Sequence, residues 1–138
     1  MNKHIFIAFL LMSFLGACGN NRVADCNKCV SDKNGDAKLL INISVPDGIT
    51  QSITVSIYEG PLERNDLLYQ FNTYHDYIEY PVMADKDYTV TAEYVIGQDK
   101  YLAVDSARPH VQYDDSSCEM PCYYVSGNRI DLRLKYTR

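Results

Sequence analysis

The 138-residue chain contains no tryptophan, only three histidines and no cluster of basic residues. Each shortage narrows what the protein can do. Binding to nucleic acid depends on concentrated Lys and Arg, whereas 13 basic residues are set here against 18 acidic ones, for a net charge of −5. His4, His75 and His110 are scattered and have no nucleophile paired with them by motif. A G-x-S-x-G element is missing, and no spacing of Asp and Glu singles out a glycosidase pair. The longest apolar run, Ile5 to Leu15, is too short for a membrane-spanning helix, which needs about 20 residues. Internal repeats, low-complexity tracts and long amphipathic helical patterns are absent too.

What stands in front of that run matters more than its length. Met1-Asn2-Lys3-His4 supplies a positive charge, Ile5 to Leu15 an apolar stretch broken only by Ser13, and small residues lead to a cysteine. This is the layout of a signal peptide. Leu15-Gly16-Ala17-Cys18 resembles the lipobox of bacterial lipoproteins. The resemblance implies cleavage before Cys18 and lipidation of that cysteine. It also implies a membrane anchor strengthened by about 0.8 kcal/mol per buried methylene. The expected organisation is a leader over 1–17, a lipidated, Cys-containing tether over 18–37 and a folded domain over 38–138. Loss of Lys3 with the leader leaves an acidic chain long enough for one modest core.

From Leu39 onward the apolar residues recur with period two, the mark of half-buried strands. Leu39, Ile41, Ile43 and Val45 share one face, and Pro46-Asp47-Gly48 ends the strand in a turn. Ile53, Val55 and Ile57 form a second strand, closed by Gly60-Pro61. A helical turn fits within Leu62 to Leu68. Leu67, Tyr69 and Phe71 predict a third strand, and Tyr77 to Val82 a fourth, placed at a sheet edge by Pro81. Tyr88, Val90, Ala92, Tyr94 and Ile96 give the clearest strand. Gly97-Gln98-Asp99-Lys100 turns it into a sixth, with Leu102 and Val104 expected inward. A long loop from Ala107 to about Pro121 precedes the last strand, Ile130, Leu132, Leu134 and Tyr136. Seven short strands with frequent turns predict an all-β fold, a single antiparallel β-sandwich.

Ala84-Asp85-Lys86-Asp87-Tyr88-Thr89-Val90-Thr91-Ala92 resembles the turn-then-tyrosine entry to a strand of transthyretin-like and immunoglobulin-like modules. With its leader, the chain is similar to small lipoproteins of Bacteroides-type bacteria. Fimbrial anchor and accessory proteins of those bacteria likewise join a lipobox to transthyretin-like domains. The resemblance implies an outer-membrane location, on either the periplasmic or the surface face. It also implies a non-catalytic binding or assembly role, with an envelope protein or glycan as partner.

Four cysteines remain beyond Cys18: Cys26 and Cys29 near the start, Cys118 and Cys122 near the end. An even count in an exported chain predicts two disulfides, with three pairings open. Sandwiches of this type commonly set their first and last strands side by side in parallel. The segments that enter those strands then meet at one end, which favours bonds between the two cysteine clusters. The alternatives are four thiolates around a zinc ion, or a thiol-redox pair in Cys26-Asn27-Lys28-Cys29. That redox pair lacks the helix that usually lowers a thiol pKa.

Asp32-Lys33-Asn34-Gly35-Asp36 starts like a calcium loop but has Ala37 where glycine is needed and Ile43 where glutamate is needed. Asp114-Asp115-Ser116-Ser117 reads as a solvated loop rather than a calcium site. No cofactor is implied. Tyrosine is the remaining lead, with twelve in the chain. Tyr88, Tyr94 and Tyr136 fall on core faces. Tyr74, Tyr77, Tyr113, Tyr123 and Tyr124 fall in or beside loops, where aromatic rings with polar tips suit a binding surface.

Overall fold

A computed structural model describes residues 24–30, 33, 35–45 and 51–135. The expected leader, Cys18, the turn at residues 46–48 and Tyr136 lie outside them, as do Asp32 and Asn34 of the calcium-like segment at 32–36. Nine strands are described: β1 (Asp36–Asn42), β2 (Ile53–Glu59), β3 (Leu67–Thr73), β4 (Tyr77–Met83), β5 (Tyr88–Ile96), β6 (Asp99–Ala107), β7 (His110–Asp114), β8 (Cys122–Ser126) and β9 (Arg129–Asp131). They form a four-stranded sheet in the order β3-β2-β5-β6, a three-stranded sheet β4-β1-β9 and a separate β7-β8 hairpin. The fold is an all-β sandwich, antiparallel except where β9 runs parallel to β1.

Alternation built the core. Leu39 and Ile41 on β1, with Ile43 just beyond it, face Ile53, Val55 and Ile57 of β2 and Val90 and Ala92 of β5, all essentially without solvent contact. Ile130 and Leu132 complete the layer, each side chain contributing about 1.5–3 kcal/mol by burial. Two buried tyrosines also satisfy backbone groups. Tyr88 Oη donates to Met83 O at 3.0 Å and accepts from Met83 N at 3.1 Å, which ties down the β4–β5 turn in the manner of a tyrosine corner. Tyr94 Oη spans the sandwich, donating to Leu132 O at 2.7 Å and accepting from Ser44 N at 3.2 Å.

The expected strands were all found, with differences that have physical causes. Pro81 sits on β4, an edge strand where its missing N–H costs no ladder bond. The turn after Gly60 is a single 3-10 turn, Leu62–Arg64, closed by Asn65 in the left-handed region. The segment expected to be a long loop, Ala107 to about Pro121, contains β7, which pairs with β8 just beyond it, while residues 115–121 remain irregular. On β6 the phase is reversed: Leu102 and Val104 are 61% and 49% exposed. Ala103 and Ala107, opposite Ala92 and Tyr88, face the core instead. Those small side chains fit beside the buried tyrosine rings, and the inward Asp105 accepts from Asp131 N at 2.8 Å, joining β6 to β9. Val45 is exposed beyond the end of β1. The last strand is shorter than its alternation implied, although Leu132 beyond it is fully buried.

Candidate functional site

The cysteines and three of the loop tyrosines converge on the β7-β8 hairpin. Its construction starts in the N-terminal segment. Asp25 caps a 3-10 turn over Cys26–Lys28 by accepting from Asn27 N at 3.2 Å. That turn brings Cys26 and Cys29 up to the hairpin. Cys26 is bonded to Cys118 and Cys29 to Cys122, with Cα separations of 5.8 and 4.9 Å. Both bonds link the early cluster to the late one. Val30 then exchanges two backbone hydrogen bonds with Tyr123, at 3.0 and 3.2 Å, as a one-residue third strand beside β8.

Further contacts fix the base of the hairpin. His110 Nδ1 lies 2.9 Å from Asp85 Oδ1, and this hydrogen bond holds the Asp85 carboxyl below its ordinary range. Asp85 N donates to Pro109 O at 2.7 Å. At the exit of β8, Gly127 has φ +67°, and a Cβ there would lie 2.7 Å from Arg108 O, so only glycine fits. Asn128 follows and donates its side-chain amide to Lys38 O at 2.7 Å, while its carbonyl accepts from Leu40 N at 2.9 Å. These bonds seat β9 against β1.

Between the strands, the Asp114 carboxylate accepts from Ser116 N, Ser116 Oγ and Ser117 N at 2.8, 3.1 and 3.0 Å, and from Ser117 Oγ at 2.8 Å. Four donors stabilise its charged form and hold its pKa down to about 2. This carboxylate shapes the bend that delivers Cys118. With its oxygens already accepting from the loop, it makes a poor calcium ligand.

Tyr113 and Tyr123 are direct cross-strand partners, their ring centroids 5.0 Å apart and tilted by 46°. Tyr113 is 53% exposed. Tyr124 belongs to the opposite face, where its hydroxyl donates to Gln112 Oε1 at 2.7 Å. Tyr74 and Tyr77 are not part of this group. The β1–β4 register sets Tyr77 against Asn42, at the end of the sandwich away from the Met83–Asp36 pair and the hairpin. Tyr77 instead donates to Glu79 Oε1 at 3.1 Å. The five loop tyrosines therefore occupy two places rather than one surface.

Other chemistry finds little support in the geometry. The sulfurs of Cys29, Cys118 and Cys122 lie within 4.8 Å of one another, but in the bonded state none is a thiolate. Among the described residues, no hydroxyl is hydrogen-bonded to the His110 ring. Glu79, Asp85, Asp114 and Asp131 are all held below the ordinary carboxylate range by hydrogen bonds. A shallow groove of about 230 Å³ crosses the outer face of the larger sheet, lined by Ser56, Tyr58, Leu62, Gln70, Thr91 and Leu102 among others. It falls short of the roughly 300–1,000 Å³ of a typical small-molecule site. Sequence reasoning missed the Val30 bridge and the His110–Asp85 and Asn128 anchors, because each depends on partners distant in the chain. No family model, curated protein or solved structure matches the chain.

Proposed function

We propose that the chain is a lipid-anchored, non-catalytic binding or assembly module of a bacterial cell envelope, and that the stapled hairpin is its contact surface. The observation that carries this reading is the doubly cross-linked hairpin with its Tyr113–Tyr123 pair, Tyr113 exposed and Tyr123 half-buried. Holding such a surface rigid before contact lowers the entropy lost on binding, and tyrosine offers area at small rotamer cost. The lipobox-like segment supports attachment through Cys18, and the likeness to Bacteroides-type lipoproteins supports an outer-membrane location. Tyrosine faces of this kind suit a protein or a glycan partner. The acidic balance of the chain gives nucleic acid nothing to hold.

The test uses the full chain expressed in a bacterial envelope and treated with a cross-linker. The unaltered chain should fractionate with membranes and give a discrete adduct. Tyr113→Ala with Tyr123→Ala should keep both fractionation and melting temperature but lose the adduct. An adduct of unchanged yield would remove the hairpin from the reading, and a Cys18→Ala chain still in the membrane fraction would remove the anchor.

The close approach of three sulfurs favours one second reading, a zinc or thiol-redox protein acting through Cys26, Cys29, Cys118 and Cys122. Intact mass after denaturing alkylation without reductant separates the two. A mass four hydrogens below the reduced chain, with no alkylation of these four residues, supports the stapled module. Four alkylated thiols and a metal ion in the native mass would transfer the function to the cysteines.

A further inference from the structure

We infer that β3 is the pairing edge of a symmetric dimer, in which two copies of the chain join antiparallel β3 strands about Gln70. The inference is independent of the hairpin, which lies elsewhere on the molecule. It starts from how the sheet edges are protected. A free strand edge presents unpaired N–H and C=O groups, and proteins blunt it with proline, charge or cover. On β4, Pro81 interrupts the edge and Lys38 pairs with Glu79 at 2.8 Å. β6 and β9 face each other through the Asp105 carboxylate. β7 carries His110 and Asp114, and Val30 bridges to β8.

Among the described residues, β3 has no proline, charge or cover along its length, and its one irregularity is a bulge at the Leu67 end, where the register with β2 shifts. Its seven residues, Leu67-Leu68-Tyr69-Gln70-Phe71-Asn72-Thr73, include neither a charge nor a proline. It ends the order β3-β2-β5-β6, and among the described residues no strand pairs with its outer side. Leu67, Leu68 and Tyr69 are 49%, 47% and 51% exposed. Tyr69 also belongs to an aromatic row, stacked on Tyr80 at 5.6 Å and beside Phe71 at 5.7 Å.

Two features select a second copy as the occupant. In a chain of net charge −5, most surfaces repel their own image, but β3 meets its image with no charge at all. A two-fold axis at Gln70 sets Tyr69 opposite Phe71 of the second copy, which extends the aromatic row across the join on one face of the sheet. The result is one continuous eight-stranded sheet made from two four-stranded ones.

The register provides its own test, because each Gln70 directly opposes the Gln70 of its partner copy. The residue is exposed, with its amide donating to Ser56 Oγ at 2.8 Å, so a charged substitute leaves the core untouched. Sedimentation of the full chain, 15.7 kDa, in non-ionic detergent from ~1 to ~500 μM should show a species of twice that mass. Gln70→Lys and Gln70→Glu should each weaken the dimer by about ten- to a hundredfold through like-charge apposition, and their equimolar mixture should restore it. Amide exchange of the unsubstituted chain is a second readout that needs no variant: Leu67–Thr73 should slow as concentration rises. A monomer at every concentration, a dimer indifferent to charge at position 70, or a dimer with unchanged β3 exchange would each overturn the inference.

Discussion

Removing the disulfides one at a time should give losses that are far from additive, and the topology says by how much. Cys26–Cys118 and Cys29–Cys122 close loops of 92 and 93 residues. In the chain-entropy account the first bond to form, whichever it is, stabilises the fold by about 4.6 kcal/mol. The second bond then closes only a small ring through residues 26–29 and 118–122. For about nine residues the same relation gives about 2.5 kcal/mol. Cys26→Ala with Cys118→Ala should therefore cost about 2.5 kcal/mol. Removing all four cysteines should cost about 7 kcal/mol, against a total stability of about 5–15 kcal/mol for a domain. The pair Cys26–Cys118 is the cleaner choice, because Cys26 is exposed whereas Cys122 is fully buried and its loss adds a packing penalty of about 1 kcal/mol. Urea unfolding of the three proteins provides the assay. With slopes of about 1–3 kcal/mol/M, the single-bond variant should lose roughly 1–2 M in midpoint. A loss above about 4 kcal/mol for either bond alone would refute the nested-loop reasoning. So would a four-cysteine variant whose loss equals the sum of the two single-bond losses.

Three further outcomes follow from the interior and the turns. Tyr94→Phe keeps the ring but strands Leu132 O and Ser44 N in the core, at a cost of about 1–3 kcal/mol measurable by urea unfolding. Gly127→Ala combines a left-handed backbone with a Cβ 2.7 Å from Arg108 O and should cost more than about 2 kcal/mol, lowering the thermal midpoint by several degrees. In a series of urea midpoints against pH, both ends should decline. The Asp85, Asp114 and Asp131 carboxyls sit below their ordinary range in the fold, so the stability they add is complete above about pH 4 and is lost as pH falls toward 2. Burial raises the Tyr88 and Tyr94 phenols, so their stability is complete below about pH 10 and is lost as pH rises further. Midpoints that stay flat below pH 4 or above pH 10 would contradict these assignments.

How far the sequence could be read depended on whether a residue's role was set by its neighbours in the chain. β1, β2 and β5 lie across the middle of the two layers, so burial on one face and exposure on the other imprinted a clean alternation. The edge position of β4 was written in Pro81. β6 misled because it alternates on both faces: Leu102 and Val104 look like core residues, but the space beside Tyr88 and Tyr94 takes alanine. The hairpin went unseen because β7 and β8 are five residues each, and the bend between them carries polar residues and a proline. The cysteine clusters were legible as partners from the parallel relation of the first and last strands, although only the structure sets Cys26 on Cys118 rather than on Cys122. Among the loop tyrosines, the Tyr113–Tyr123 pair depends on hairpin register, which no local pattern revealed.

The parallel β1–β9 pair also governs when this protein can become itself. A chain emerging from the ribosome presents Cys26 and Cys29 roughly ninety residues before their bonding partners exist. At that stage β1 has neither its parallel neighbour nor, through Tyr94, its strut from the opposite sheet to Leu132. Of these four thiols, an oxidant acting at that stage can join Cys26 only to Cys29, and that union is not the native one. That link is corrected by exchange: a thiolate from outside the chain opens it, Cys118 displaces that thiolate from Cys26, and a further two-electron oxidation then joins Cys29 to Cys122. The yield of the native molecule should accordingly depend on the supply of an isomerising thiol as well as on the supply of oxidant.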